Sequence, residues 1–454
     1  MTWPTINSTV KTLLNFAVMV ALTGIGRVAF AADASPSGVP TRRSATRGQT
    51  PSAPPATSLS PEWFERHLSD PDLRDLAAAR FADHHHLTRS DMIAIFHSAA
   101  EGDRIDDDQF QTLRALAENA KLLGMPPFVA DLARKVVLAD PANARFQGQP
   151  LGDLEPGSSG KHLEALVQKW FFGADRPQID SKFHYQRTAG VLFDGAPKLS
   201  DLHQGDLGDC FFLAALGEVA LRNPEQIQRM FGDNRDGTFT VRFYREGKPV
   251  FLTVDRFLPV DEKGRFVYEN RGDLAANAKN VLWLALAEKA LAQLNESGWL
   301  TTKGTAGVNS FAEIGRGGKS TTTLPLLTGV AASRDGLNTI ASLAKGELEL
   351  ANSKNEVPDS LVPHHSYVIV GYDPASEQVT LYNPWGLRGN NKNIKYGTFS
   401  VSWQDFWADF GSIDHVPVKG GAVAAGLAKN PARMATSPKN VPNRTTGEQT
   451  VRGN

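Results

Sequence analysis

The chain has 454 residues, 41% of them hydrophobic and 21% charged, a balance that suits a globular protein of roughly two to four domains. Lys+Arg number 48 and Asp+Glu 49, for a formal net charge of -1, so no global field draws the chain onto nucleic acid or acidic lipid. Cys210 is the one cysteine, which excludes an internal disulfide and leaves either a buried small hydrophobe or a working thiol.

In chain order, the first residues read as an export signal. Lys11 precedes an apolar run from Leu13 to Ile25, and Ala29-Phe30-Ala31 offers a small-x-small cleavage site. Residues 1–31 are therefore expected to be a signal peptide, with an uncleaved anchor as the other reading, and the protein to be periplasmic or secreted. The run is shorter than the about 20 residues of a membrane span, so no stable span is expected. An oxidising compartment is hard on an idle thiol, which favours a chemical task for Cys210. Residues 32–59 are rich in Ser, Pro, Thr and Ala without apolar period, as in a disordered linker.

Residues 60–150 read as a helical module. Leu68, Leu73 and Leu76 give one apolar face. Met92, Ile93, Ile95 and Phe96 give a second, with Thr88 and Ser90 as capping candidates. Phe110, Leu113, Leu116 and Ala117 give a third. The module reads either as an autoinhibitory pro-segment or as a targeting domain. Its acidic run around Glu101, Asp103 and Asp106 to Asp108 does not have EF-hand spacing, and three adjacent histidines, His84 to His86, cannot all face one ion on a helix.

From about residue 160 helices and strands mix. Thr238 to Tyr244 alternates and turns at Gly247-Lys248 into Val250 to Val254; Val281 to Leu294 is an Ala/Leu-rich helix; Tyr367 to Val370, Val379 to Tyr382 and Thr398 to Val401 read as strands. Residues 419–454 have the composition of a disordered tail.

The chemistry concentrates in three places. Gln204-Gly205-Asp206-Leu207-Gly208-Asp209-Cys210 is a tight loop running into an apolar stretch that stops at Asn223-Pro224. Asp209 is expected as N-cap and Cys210 as the first helical residue. There the helix terminus favours the thiolate, and the free Cys210 N–H can donate to an oxyanion. Gln204, six residues upstream, reads either as a second oxyanion donor or as an amide that braces the turn. His365 starts a hydrophobic strand, where a rigid element can aim an imidazole into a cleft. Asn383 closes the next strand 18 residues later; its amide can fix the imidazole's orientation and tautomer, and Trp385 can cover that bond. His364 is expected to face solvent.

The run Gln204 to Ala215 closely resembles the active-site segment of the calpain family of papain-like cysteine proteases. Asp255 to Pro259, Trp283 to Ala290, His365-Ser366-Tyr367, Asn383 to Gly386, Gly397-Thr398-Phe399 and Trp403 to Phe406 resemble the same family in the same order. The resemblance implies an α+β, papain-like two-lobed fold over residues 160–417. A helical lobe at about 160–305 would carry Gln204 and Cys210, and a β-rich lobe at about 306–417 would carry His365 and Asn383. It implies a cysteine endopeptidase acting on proteins or peptides through a thiolate–imidazolium pair and a thioester. One acidic calcium ligand of the family has a counterpart in Asp201, but another falls at Val281, which cannot ligate calcium; no required cofactor is expected. A silent binding module of the same fold and a thiol acyltransferase are the other readings of these residues.

Overall fold

The structure, a computed structural model, describes residues 59–300, 302–335, 347–387 and 391–416. The expected signal peptide, all but the last residue of the linker, and the tail at 419–454 lie outside the described residues.

Five helices come first: α1 (Pro61–His67), α2 (Pro71–His84), α3 (Arg89–Ala100), α4 (Asp107–Glu118) and α5 (Pro127–Val137). Local chemistry sets their starts. Prolines occupy the first turns of α1, α2 and α5, where a missing N–H costs nothing. Thr88 and Asp106 head capping boxes on α3 and α4. The apolar faces turn inward as spaced: Leu73, Ala77 and Phe81 on α2, Met92, Ile95 and Phe96 on α3, Leu113 and Leu116 on α4 are all buried.

A short hairpin, β1 (Arg145–Phe146) and β2 (Gln149–Pro150), leads to α6 (Gly160–Trp170) and β3 (His184–Arg187). Then come α7 (Cys210–Arg222), α8 (Pro224–Gln228), β4 (Phe231–Asp233), β5 (Thr238–Arg245), β6 (Lys248–Asp255), β7 (Phe257–Val260) and α9 (Trp283–Leu294). β4, β5 and β6 form an antiparallel sheet, and β3 pairs with β7. The five N-terminal helices share one apolar core with this part of the chain. α5 also bonds it directly: Lys135 Nζ donates to Phe251 O (2.6 Å), and Phe251 N–H donates to Asp131 Oδ2 (2.8 Å). Helix α9 is buried along its whole length. Its Lys289 is tolerated because Nζ donates to the Asp255 and Phe257 carbonyls, both at 2.9 Å, and to the Asp255 carboxylate.

The chain continues through α10 (Phe311–Ile314), α11 (Ser320–Thr328), β8 (Ser333–Asp335), β9 (Leu348–Ser353), β10 (Ser366–Asp373), β11 (Gln378–Asn383), β12 (Gly397–Ser402), α12 (Trp403–Asp409) and β13 (Phe410–Val416). The strands β8 to β13 make one antiparallel sheet in the order β12-β11-β10-β9-β13-β8. This sheet begins at Ser333. The two short helices α10 and α11 precede it, and α11 packs on α7 and β5; its Thr323 hydroxyl donates to Phe211 O (2.9 Å).

The large sheet is covered on both faces. Strand alternation sends Leu350, Val368 and Tyr382 into the main core with α7, and Ala351, Tyr367, Ile369 and Leu381 into a second core under α12. Helix α7 lies between the two halves. Gly217 lets β10 come close: a Cβ there would stand 3.2 Å from the Val368 side chain. Arg222 at its far end donates to Ile369 O (2.8 Å) and Val370 O (3.1 Å), beside the bulge in β10. The element that begins with Cys210 is thus bonded at its other end to the strand that follows His365.

Candidate active site

The loop before Cys210 is held by close backbone approach. A Cβ on Gly205 would meet Tyr268 O at 2.2 Å and Val267 O at 2.4 Å, and Gln204 N–H donates to Pro384 O (3.1 Å). The last bond ties the loop before the cysteine to the turn after Asn383. Cys210 is the first residue of α7. Its N–H belongs to the donors that a helix leaves without an internal acceptor.

Asp209 holds the N-cap position, but its carboxylate makes no cap bond, which corrects the expectation from sequence. It is fully buried and accepts from Gln204 Nε2 (3.2 Å). Gln204 Nε2 also donates to Leu207 O (2.8 Å). The amide hydrogens are therefore turned onto the loop, and Gln204 Oε1 is a buried acceptor without a bond.

On the other half, the register does the positioning. Val368 pairs with Tyr382, so Asn383 lies opposite Tyr367, and His365 stands two residues earlier on the same face. His365 Nε2 and Asn383 Oδ1 are 2.9 Å apart, both residues buried. The amide's orientation follows from its partners: Trp385 N–H donates to Oδ1 (3.0 Å), and Nδ2 donates to Lys395 O (2.9 Å). The oxygen therefore faces the ring, Nε2 carries the hydrogen, and Nδ1 keeps its lone pair. The rings of Tyr367 (4.8 Å between centroids) and Trp385 (5.5 Å) flank the imidazole edge-on. His365 N–H donates to Ser353 Oγ (2.8 Å), and Ser353 N–H donates to His365 O (2.9 Å). His364 is exposed, with a left-handed backbone (φ 52°).

The two halves meet at the thiol. Ser366, which follows His365 directly, lines the same cleft as Cys210 and acts to lower its thiol pKa. Ser320 Oγ of α11 is 3.4 Å from Ser366 Oγ. Cys210 is partly exposed in a cleft of about 1160 Å³, lined on one wall by Gly208, Phe211, Gly317 and Gly318 and on the other by Asn352, Ser353 and Ser366. Gln204 and His365 are buried, with 6% and 5% exposure. None of residues 59–150 lines this cleft.

Electrostatics here run against the expected charged pair. Burial pushes the Cys210 thiol up to about 11, with Asp209 adding to the rise, while bonds from Ser366 and Phe211 oppose it. Burial pulls His365 down to about 4 against the Asn383 bond. Loss of water thus outweighs the helix terminus, and each group taken alone is neutral near pH 7. Behind Cys210 lie three buried carboxyl groups, on Asp209, Glu269 and Glu288. Burial raises all three, and each is raised further by, or bonded to, a neighbour in the set. Glu269 N–H donates to Glu288 Oε2 (3.1 Å), and His203 N–H donates to Glu269 Oε1 (2.7 Å).

Asp201, the expected calcium-ligand candidate, is bonded within the protein. Its Oδ2 accepts from Trp283 Nε1 (3.0 Å) and Lys198 N–H (3.2 Å), and Lys198 Nζ stands 3.3 Å from Oδ1. Val281 has no side-chain oxygen. Among the described residues no cluster of three His, Cys, Asp or Glu could hold a metal ion. His84, His85 and His86 lie at and beyond the end of α2, and Asp106 is spent on its capping box.

Ser353, Ser366, Glu269 and Glu288 were not singled out by sequence, and Asp209 was expected only as a cap. Ser366 lay within a quoted motif, and Asp209 and Glu288 within two others. Their roles arise from contacts with separations from 5 residues (Gln204–Asp209) to 66 residues (His203–Glu269).

Residues 174–414, more than half of the chain, match the family model for the calpain family of cysteine proteases. Calpain-9 of Homo sapiens is 27% identical over 263 residues, 52% of this chain and 34% of that protein. The calpain-type cysteine protease ADL1 of Oryza sativa subsp. japonica is 28% identical over 296 residues, 55% of this chain and 12% of that protein. The calpain-type cysteine protease DEK1 of Zea mays reaches 32% over 135 residues, 29% of this chain and 6% of that protein. The matched region thus spans about a third or less of these relatives.

Proposed function

The chain belongs to the calpain family of cysteine proteases, and from that premise we propose that it is a cysteine endopeptidase of papain-like, two-lobed fold that hydrolyses peptide bonds in proteins. The observation that carries the reading is the buried 2.9 Å contact between His365 Nε2 and Asn383 Oδ1, made beside the strand start that touches Cys210.

In this mechanism the Nδ1 lone pair takes the thiol proton as Cys210 Sγ attacks the carbonyl carbon of the scissile bond. Proton transfer within the pair supplies the thiolate, since neither group is charged alone near pH 7. The Asn383 oxygen stabilises the imidazolium through Nε2–H. The Cys210 N–H donates to the developing oxyanion; one such donor is worth roughly 3 kcal/mol in comparable sites. Gln204 joins as a second donor once its amide exchanges the Leu207 carbonyl for the oxyanion. His365 returns its proton to the leaving amine. The resulting thioester is cleaved by water, with His365 now acting as base.

The proposal includes action without calcium, because the second ligand position of the family is held by Val281, which has no side-chain oxygen. It also includes export, from the reading of residues 1–31. The deciding experiment is degradation of casein by the purified protein, with and without a calcium chelator, beside Cys210→Ala. Loss of cleavage in Cys210→Ala alone supports the reading. Equal cleavage by both proteins overturns it, and cleavage that vanishes with chelator and returns with calcium overturns the calcium part. An amine acceptor in the same assay separates hydrolysis from acyl transfer.

A further inference from the structure

We propose that the cleft selects substrates carrying aspartate or glutamate near the cleaved bond, through an unbalanced cationic wall made by Lys303 and Lys319. The inference rests on the peptidase reading and names its substrate class.

The wall is built by main-chain pairing. Lys303 N–H donates to Gly317 O (2.7 Å), and Thr302 bridges to Gly318. Lys303 thus lies alongside Gly317, its Nζ 4.0 Å from where a Cβ on Gly317 would stand. Lys319 follows Gly318 directly. The same two glycines are pressed onto the start of α7: a Cβ on Gly318 would lie 2.5 Å from the Phe211 ring. The two lysines therefore border a strip of bare backbone next to Cys210, and Lys303, Gly317, Gly318, Lys319, Phe211 and Cys210 line one cleft. Both lysines are exposed, and among the described residues neither has a carboxylate partner.

The opposite wall is different. Arg334 is spent on a two-point contact with Asp414 (2.5 and 2.8 Å). Lys354 Nζ donates to the Trp407 and Ala408 carbonyls (3.1 and 2.7 Å), and Glu356 and Asp409 line the same side. Positive and negative groups alternate there, whereas the Lys303–Lys319 wall carries one sign. The chain as a whole is close to neutral, with a formal charge of -1, so the asymmetry is local. A cleft walled by one sign of charge concentrates ligands of the other sign and rejects its own.

The test uses quenched fluorescent peptides of one sequence, differing only in whether the residues flanking the cleaved bond are Glu, Gln or Lys. The expected order of kcat/KM is Glu over Gln over Lys, with about tenfold between Glu and Gln at low salt, shrinking toward unity in 0.5 M NaCl as screening shortens the field. The double variant Lys303→Glu/Lys319→Glu should reverse the order, and Lys279→Glu, an exposed lysine elsewhere, should leave it intact. Binding of the same peptides to Cys210→Ala by fluorescence anisotropy gives the order without turnover. Peptides cut or bound with no charge preference, or a preference that survives the double reversal, overturn this proposal and leave the peptidase reading standing. Charge-ordered binding with no cleavage of any peptide supports the wall and overturns the peptidase reading.

Discussion

Replacing Asn383 with alanine tests the site where its geometry is tightest. Three bonds are lost at once: the contact to His365 Nε2 at 2.9 Å, the one from Trp385 N–H at 3.0 Å and the one to Lys395 O at 2.9 Å. The first matters most when the ring carries charge. A hydrogen bond to a charged group contributes about 1.5–3 kcal/mol, so kcat should fall roughly 10- to 150-fold. KM should hardly move, because Asn383 is fully buried and does not line the cleft. The other two losses leave a buried N–H and a buried carbonyl short of partners. Water can reach part of the space, so unfolding stability should drop by about 2 kcal/mol rather than the full penalty of both groups. Asn383→Asp is the contrast: it keeps acceptors for His365 and Trp385 but sets a carboxylate against Lys395 O. It should retain more activity than alanine and move the acid limb of the pH profile upward. Initial rates on a quenched peptide and urea unfolding read both quantities. A kcat within twofold of wild type, in a protein that Cys210→Ala silences, would refute the reasoning.

Three further outcomes follow from the same contacts. His365 must be neutral to take the thiol proton, and burial lowers its pKa to about 4, so kcat/KM should rise through about pH 4; an acid limb at the ordinary imidazole value would count against the burial argument. The same lowered pKa makes the His365 contribution to stability complete above about 6.5 and lost as pH falls toward 4. Asp209 behaves in the opposite sense. Its pKa is raised from 3.8 to about 7, so its contribution is complete below 3.8 and lost as pH rises toward 7. Wild type should lose stability relative to Asp209→Asn as pH rises from 5 to 7 in urea melts; parallel pH dependence in the two proteins would discard the buried-acid account. Gly205→Ala puts a Cβ within 2.4 Å of two main-chain oxygens, neither the flexible end of a side chain. It should cost about 3 kcal/mol and most of the activity, and a stable, active variant would show that the loop has slack.

The candidate site elements could be placed from the chain because each is local. Cys210 follows a glycine-rich loop and opens an apolar helix, and His365 and Asn383 sit at strand ends whose alternation fixes their common face. What could not be read depends on which partner wins each polar group. Asp209 has the chemistry of a cap, but Gln204 on the same loop and Glu288 on α9 claim its carboxylate. The Gln204 amide turns inward because Leu207 O and Asp209 offer better acceptors than open cleft. A helix terminus lowers a thiol pKa in water-accessible surroundings, but the packing that dries Cys210 involves β10 and α11, over 100 residues away. The glycines near 304–318 mark turns, and α11 returns to α7 before the strands of the large sheet begin.

The bonds from Asp131 and Lys135 to Phe251 have a consequence for how the molecule can be divided. β6 is the outermost strand of its sheet, and α5 supplies one acceptor and one donor where a neighbouring strand would otherwise dock. Cutting the N-terminal helices away would bare that rim together with the apolar surface beneath it, an invitation to intermolecular strand addition. A trimmed chain should therefore clump instead of emerging as an unrestrained enzyme, and the helices act as a cover for the scaffold.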